Sequence, residues 1–279
     1  MKALWVAVAA ALVAPAAFGQ SSSTESWNGL PKTLQIDTGY FHLSAETILR
    51  LNGPSGGGGD INFENELGIS PKVNTFWVDG TWRIARRHQL KLSYTRVHRD
   101  RANYTLQQGF NWGGDDYTAG LSASTSTGAD LLGGYYRFAI VKNDRFEIGP
   151  AIGFGYLWLN AGIDATGSVI GPSGPRSQTL NLSTSIGSVT GAIGGYTQGW
   201  LTKRLTAQAD FLYIKVKPQN ENAEVADWRV AADYYFFRNA GLGVQYKYYR
   251  YRYDRAATSV QLGGEVKFHG VQVFLSFLL

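Results

Sequence analysis

Residues Arg145–Ala161 read RFEIGPAIGFGYLWLNA, and alternate positions of this stretch sort into two lists. Phe146, Ile148, Pro150, Ile152, Phe154, Tyr156 and Trp158 form one; Glu147, Gly149, Ala151, Gly153 and Gly155 form the other, until Leu157 and Leu159 break its polarity. A β-strand sends successive side chains to opposite sides, so one face here is apolar and aromatic and the other is small with one acid. In a soluble sandwich the large apolar face would look inward. A large apolar face opposite a glycine-rich one suits a narrow barrel whose outside meets lipid and whose inside is crowded.

The rest of the chain carries the same signature. It has 279 residues, 44% of them hydrophobic, 34 glycines and 14% aromatics. A mean hydropathy of −0.17 argues against a helical membrane protein and fits strands in which every second residue is polar. No cysteine is present, which removes disulfide frameworks and thiolate metal sites. A net charge of +5, interspersed with acids, is too small to argue for nucleic acid. Lys2, the apolar run Ala3 to Val13 and the mostly small residues Ala16 to Gly19 read as a secretory signal peptide over 1–19, with Ala17-Phe18-Gly19 as the best cleavage match. A polar spacer follows over 20–34, and the barrel domain is expected over 35–279.

Two-residue alternation begins at Gln35. Short polar turns are expected near 86–88, 142–144, 202–204 and 238–240, and longer loops near 53–72, 99–121, 161–179, 217–224 and 253–258. Short connections alternate with long ones, as periplasmic turns alternate with extracellular loops in outer-membrane barrels. Nine connections make ten strands, with eight as the fallback where patterning is weak. The fold class is therefore all-β: a transmembrane antiparallel up-and-down β-barrel. Along the last segment the phase of the apolar residues changes at Gly270, which predicts a bulge or glycine kink there.

The leader, the alternating strands and the terminal VQVFLSFLL together resemble small bacterial outer-membrane barrels of the OmpA-like or opacity-porin-like superfamily. The terminal pattern is similar to the signal by which barrel-assembly machinery receives its clients, although Phe277 stands third from the end and Leu279 last. INFENELGI at 61–69 and RRHQLKLSY at 86–94 also resemble segments of such barrels. The resemblance implies the outer membrane of a Gram-negative bacterium, contact with lipid and lipopolysaccharide, and a monomer. It brings no cofactor and no activity.

Charges that cannot face lipid are expected in the lumen: Glu46, Arg50, Asp79, Arg83, Glu147, Asp210, Asp227, Arg229, Asp233, Lys247 and Glu265. An Arg or Lys would cost ~2–4 kcal/mol at the bilayer midplane, whereas facing one another these charges can pair and fill the interior. Trp82, Phe146, Trp158, Trp228, Tyr246 and Tyr248 are expected as interface aromatics, with Arg250 and Arg252 beyond them in reach of lipopolysaccharide phosphates. His42, Ser44 and Glu46 share one face of the first strand; Ser and His two residues apart stand about 7 Å from each other, too far for direct hydrogen bonding without favourable rotamers. They are expected as polar lumen or rim residues, and no catalytic residue is assigned. Asp60, Asn62, Glu64 and Glu66 alternate in the first loop and offer oxygen atoms, but lack the spacing of a calcium loop, so no metal is assigned either. The expected role is structural or surface-interacting and non-enzymatic, with a lumen closed by charge pairs. A narrow channel for small solutes and an outer-membrane lipid or peptide hydrolase are the alternatives.

Overall fold

The computed structural model describes residues 33–52, 58–106, 109–112, 115–117, 119–171, 174–217, 221–256 and 261–279. The expected signal peptide and nearly all of the spacer lie outside them. Ten long strands form the wall: β1 (Leu34–Asn52), β2 (Lys72–Ala85), β3 (His88–Thr105), β4 (Ser122–Phe138), β5 (Phe146–Gly171), β6 (Gly174–Trp200), β7 (Leu205–Val216), β8 (Glu221–Tyr235), β9 (Ala240–Ala256) and β10 (Gln261–Leu278). Each pairs antiparallel with its neighbours in sequence, and β1 closes the ring on β10 from Gln35↔Leu278 to Asn52↔Gln261. The chain is an up-and-down barrel of ten strands, and closure leaves no edge in its lower part.

The four short turns fall where the sequence places them. Among the described residues, parts of the longer connections are more regular than their composition suggests. Residues 161–171 and 174–179, Gly- and Ser-rich, continue β5 and β6, whose pairing runs from Gly199↔Phe146 to Gly174↔Gly171. Backbone pairing along a neighbouring strand overrides low strand propensity here. Gly58–Asn62 adds a short strand beside β1, and 63–71 folds back over the barrel with Phe63, Leu67 and Ile69 buried. At about 3.3 Å per residue, strands of 17 to 27 residues outrun the 9–11 that a bilayer needs. Their upper parts therefore stand above the membrane.

That overhang explains the side-chain pattern. In the lower barrel, Tyr40 is 54% exposed and outward, while Asp37 on the opposite face is buried. Ile152, Phe154, Val230, Val244, Val273 and Leu275 continue this apolar belt. Higher up, the same strands keep their register but exchange polarity. Phe41, Leu43 and Ala45 of β1 point inward beside Val266 and Phe268 of β10, and Leu157 and Leu159 of β5 do likewise. Phe268 meets Phe41 edge-on at 6.3 Å and stacks on Tyr249 at 4.9 Å. Outside, these levels carry ion pairs. Below, lipid requires apolar residues outside; above, water requires them inside.

The expected bulge at Gly270 is therefore corrected. Pairing of β10 with both β1 and β9 runs through Gly270 without a register shift. What changes at that level is which face is apolar: Val271 and Val273 outward below, Phe268 and Val266 inward above. The register shifts lie elsewhere, between Arg83 and Ala85 and between Arg101 and Tyr104, the latter beside Asn103 at φ 50°. Gly270 serves close packing instead. A Cβ there would run into the His42 carbonyl oxygen and stand 2.8 Å from Leu43 Cα. Gly270→Val should lower stability by about 1–3 kcal/mol through this overpacking, read as an earlier urea midpoint in detergent. A variant as stable as the wild type would refute the steric account.

Candidate functional site

Buried polar groups occupy the membrane-level interior, the largest set as a hydrogen-bonded network. Arg229 of β8 lies at its centre. Its Nη1 donates to Asp79 Oδ2 at 2.9 Å and its Nη2 to Gln208 Oε1 at 2.9 Å, while its Nε donates to Asp210. Lys91 also reaches Asp79 Oδ2, at 2.6 Å, and Arg137 Nη2 reaches Asp210 Oδ1 at 2.5 Å. Tyr135 donates to Asp227, and Lys247 lines the same residual void as Asp227.

A second hub sits lower on β5. Glu147 is 0% exposed and receives Arg83 at 3.1 Å, Gln89 at 2.5 Å and Gln198 at 2.7 Å, with Lys142 at 3.4 Å from its other oxygen. A third layer joins Gln35 to Asp37 at 2.9 Å and to Ser276 at 3.2 Å, and Asp233 to Thr206 at 2.8 Å. The void among Asp79, Lys91, Asp210, Asp227, Arg229 and Lys247 holds about 10 Å³. That is about the volume one water occupies.

Of the residues expected in the lumen, Asp79, Arg83, Glu147, Asp210, Asp227, Arg229, Asp233 and Lys247 point inward. Glu46 and Glu265 do not, and that is a correction. Glu46 faces outward beside Lys267 at 3.4 Å, and Glu265 faces outward, bound by Arg250 Nε at 2.8 Å. Both stand above the belt, where a charge on the outer face meets water and needs no lumen. The Arg50 side chain lies outside the described residues. Lys91, Arg137 and Tyr135 belong to the network although charge alone did not single them out; each shares the inward parity of its strand, and that signal was available.

Trp82 and Phe146 face outward near the short turns. Trp158, Trp228, Tyr246 and Tyr248 face outward near the upper limit of the belt, where Trp228 stacks on Tyr248 at 5.4 Å. Arg250 and Arg252 lie beyond them, already paired with Glu265 and Asp254. The hydrogen bond that Arg250 donates to Glu265 raises it above its ordinary pKa.

In the first loop, Glu64 is committed to Arg99 at 2.5 Å and accepts from the Thr47 amide at 2.9 Å. Asn62 Oδ1 caps the amides of Glu64 and Asn65 at 3.1 and 2.9 Å. These groups hold a lid onto the barrel, and no metal-holding cluster of His and acids occurs among the described residues. His42 and Ser44 are not lumen residues: both lie on the outer face of β1, where His42 Nδ1 is 2.7 Å from Asn74 Oδ1.

No family model matches the chain, and no curated protein matches it. Among solved structures it is similar to the outer membrane protease OmpT of Escherichia coli, at 13% identity over 92% of this chain and 100% of that one, with a TM-score of 0.59. It also aligns with OprG of Pseudomonas aeruginosa at 8% identity over 90% and 99% of the two chains, with a TM-score of 0.33. The likeness to the first, at that identity, is one of fold: the chain folds as an outer-membrane β-barrel.

Proposed function

We propose that this chain is an outer-membrane barrel sealed against solute flow, whose working surfaces are its lid and its outer face. The observation that carries this reading is the Asp79–Arg229–Asp210 network with a residual void of about 10 Å³. A passage at this level would require separating ion pairs that no water replaces, each at a cost of several kcal/mol. The apolar belt and its aromatic rims support insertion in a Gram-negative outer membrane after removal of residues 1–19, by way of the barrel-assembly machinery. The outward Arg250 and Arg252 are our candidates for lipopolysaccharide contact, and a monomer in the OmpA-like or opacity-porin-like manner accords with the closed ring.

Planar-bilayer recording tests the seal. The folded protein should give no steady conductance steps at moderate voltage. Discrete open-channel steps, abolished when the protein is omitted, would replace this reading with that of a narrow channel.

A further inference from the structure

The outer faces of β1 and β2 bring together a nucleophile, a base and an amide at the level where the apolar belt ends. His42 and Ser44 stand two residues apart on that face, and Asn74 of β2 is the cross-strand partner of His42. With the Asn74 amide oxygen accepting at 2.7 Å, the ring hydrogen of His42 sits on Nδ1 and Nε2 keeps its lone pair. On the other flank, His269 of β10 is the cross-strand partner of Ser44, and its Nδ1 is 3.0 Å from the Tyr246 hydroxyl. That contact holds the His269 ring beside Ser44. Ser44 and His269 open on one cavity of about 190 Å³, shared with Glu46, Asn62 and Lys267.

The depth of this arrangement selects its chemistry. One pair below, Tyr40 and Phe76 face the lipid tails; one step above, Glu46 and Lys267 form a solvated ion pair. Between tails and headgroups lie the ester carbonyls of membrane amphiphiles. Trp228, Tyr246, Tyr248 and His269 form an aromatic platform at the same height.

We propose that Ser44, His42 and Asn74 form an acyl-ester hydrolase site on the outside of the barrel, acting on esters of a membrane amphiphile. Ser44 Oγ attacks the ester carbonyl while its proton passes to His42 Nε2. The carbon–oxygen bond to the alcohol breaks, and the leaving oxygen takes that proton. Water then attacks the acyl-serine with His42 as base, releasing the fatty acid and restoring the serine. Asn74 is a positioning residue that holds the His42 tautomer, and His269, which lines the cavity, supplies a ring N–H to the carbonyl oxygen. Contacts of this kind are commonly long without substrate and close when it binds.

The test uses the full chain refolded in two arms, phosphatidylethanolamine vesicles and lipopolysaccharide aggregates, with a fluorophosphonate as an independent probe. Fatty-acid release in one arm identifies the ester source, and mass spectrometry should place the probe on Ser44. Ser44→Ala should lose the adduct and at least about 100-fold in release, and His42→Ala about as much. Asn74→Asp should move the acid limb of the pH profile upward, because a carboxylate beside His42 favours its protonated form; a purely structural role would leave that limb in place. The site is overturned if folded wild type releases nothing in either arm and takes no probe, or if activity survives Ser44→Ala. Loss in His269→Ala with full activity in His42→Ala would equally overturn the assignment of the base.

Discussion

Glu147→Ala should destabilise the barrel by about 3–5 kcal/mol, among the largest effects of any single substitution in the lower wall. Glu147 is fully buried and is the common acceptor for Arg83, Gln89 and Gln198, with Lys142 close to its second oxygen. Truncation takes the buried Glu147 carboxylate from the Arg83 guanidinium and the shared acceptor from two amide donors. Each stranded donor adds about 1–3 kcal/mol, and the contributions are not additive because they share one acceptor. Glu147→Gln keeps the shape and one acceptor oxygen and should lose less. Urea unfolding followed by tryptophan fluorescence, in detergent and again in vesicles, reads both. Equal stability of wild type and Glu147→Ala would show that the hub carries no net stabilisation, and a stable Glu147→Ala that also conducts would show that the hub maintains the seal alone.

This hub was legible early because it lies where composition is least ambiguous. Along Phe146–Tyr156 every large apolar residue falls on one parity, and Glu147 is the only charge on the other. The turns were legible for a related reason: short polar stretches between alternating runs have few alternatives. The upper faces were not. Side-chain alternation tells which residues share a face, but the surroundings decide which face is inside, and along these strands the surroundings change from lipid to water. Assigning Glu46 and Glu265 to the lumen extended a lipid argument to levels where water bathes the wall. Two clues were already in the chain. Leu157 and Leu159 break the small face of β5 beside Trp158, and the phase of β10 changes at Gly270. Both mark the same boundary, which composition presented as an irregularity of backbone. His42 and Asn74 could not be associated from sequence, because their pairing depends on the register of β1 against β2 across a loop of 19 residues between them.

Phe268→Ala gives the sharpest test of that boundary, with an expected loss of about 3–5 kcal/mol. The ring is 1% exposed, edge-on to Phe41 and stacked on Tyr249, in a part of the interior whose nearby void holds only about 10 Å³. Such packing has little slack into which neighbours could relax, so the cavity persists and adds to the lost transfer free energy. The opposite face supplies the comparison. Glu265, three residues earlier, is outward and paired with Arg250 at side-chain exposures of 20% and 29%. A pair so open to water is worth at most about 1 kcal/mol, and less in salt. Glu265→Ala should therefore barely move the unfolding midpoint while Phe268→Ala moves it far. If Glu265 were a lumen charge and Phe268 a lipid-facing ring, the order would reverse: Glu265→Ala would strand a buried guanidinium, and Phe268→Ala would lose only contact with lipid tails. The ranking of the two midpoints, measured in one bilayer at one salt concentration, thus decides on which side of this wall the water stands.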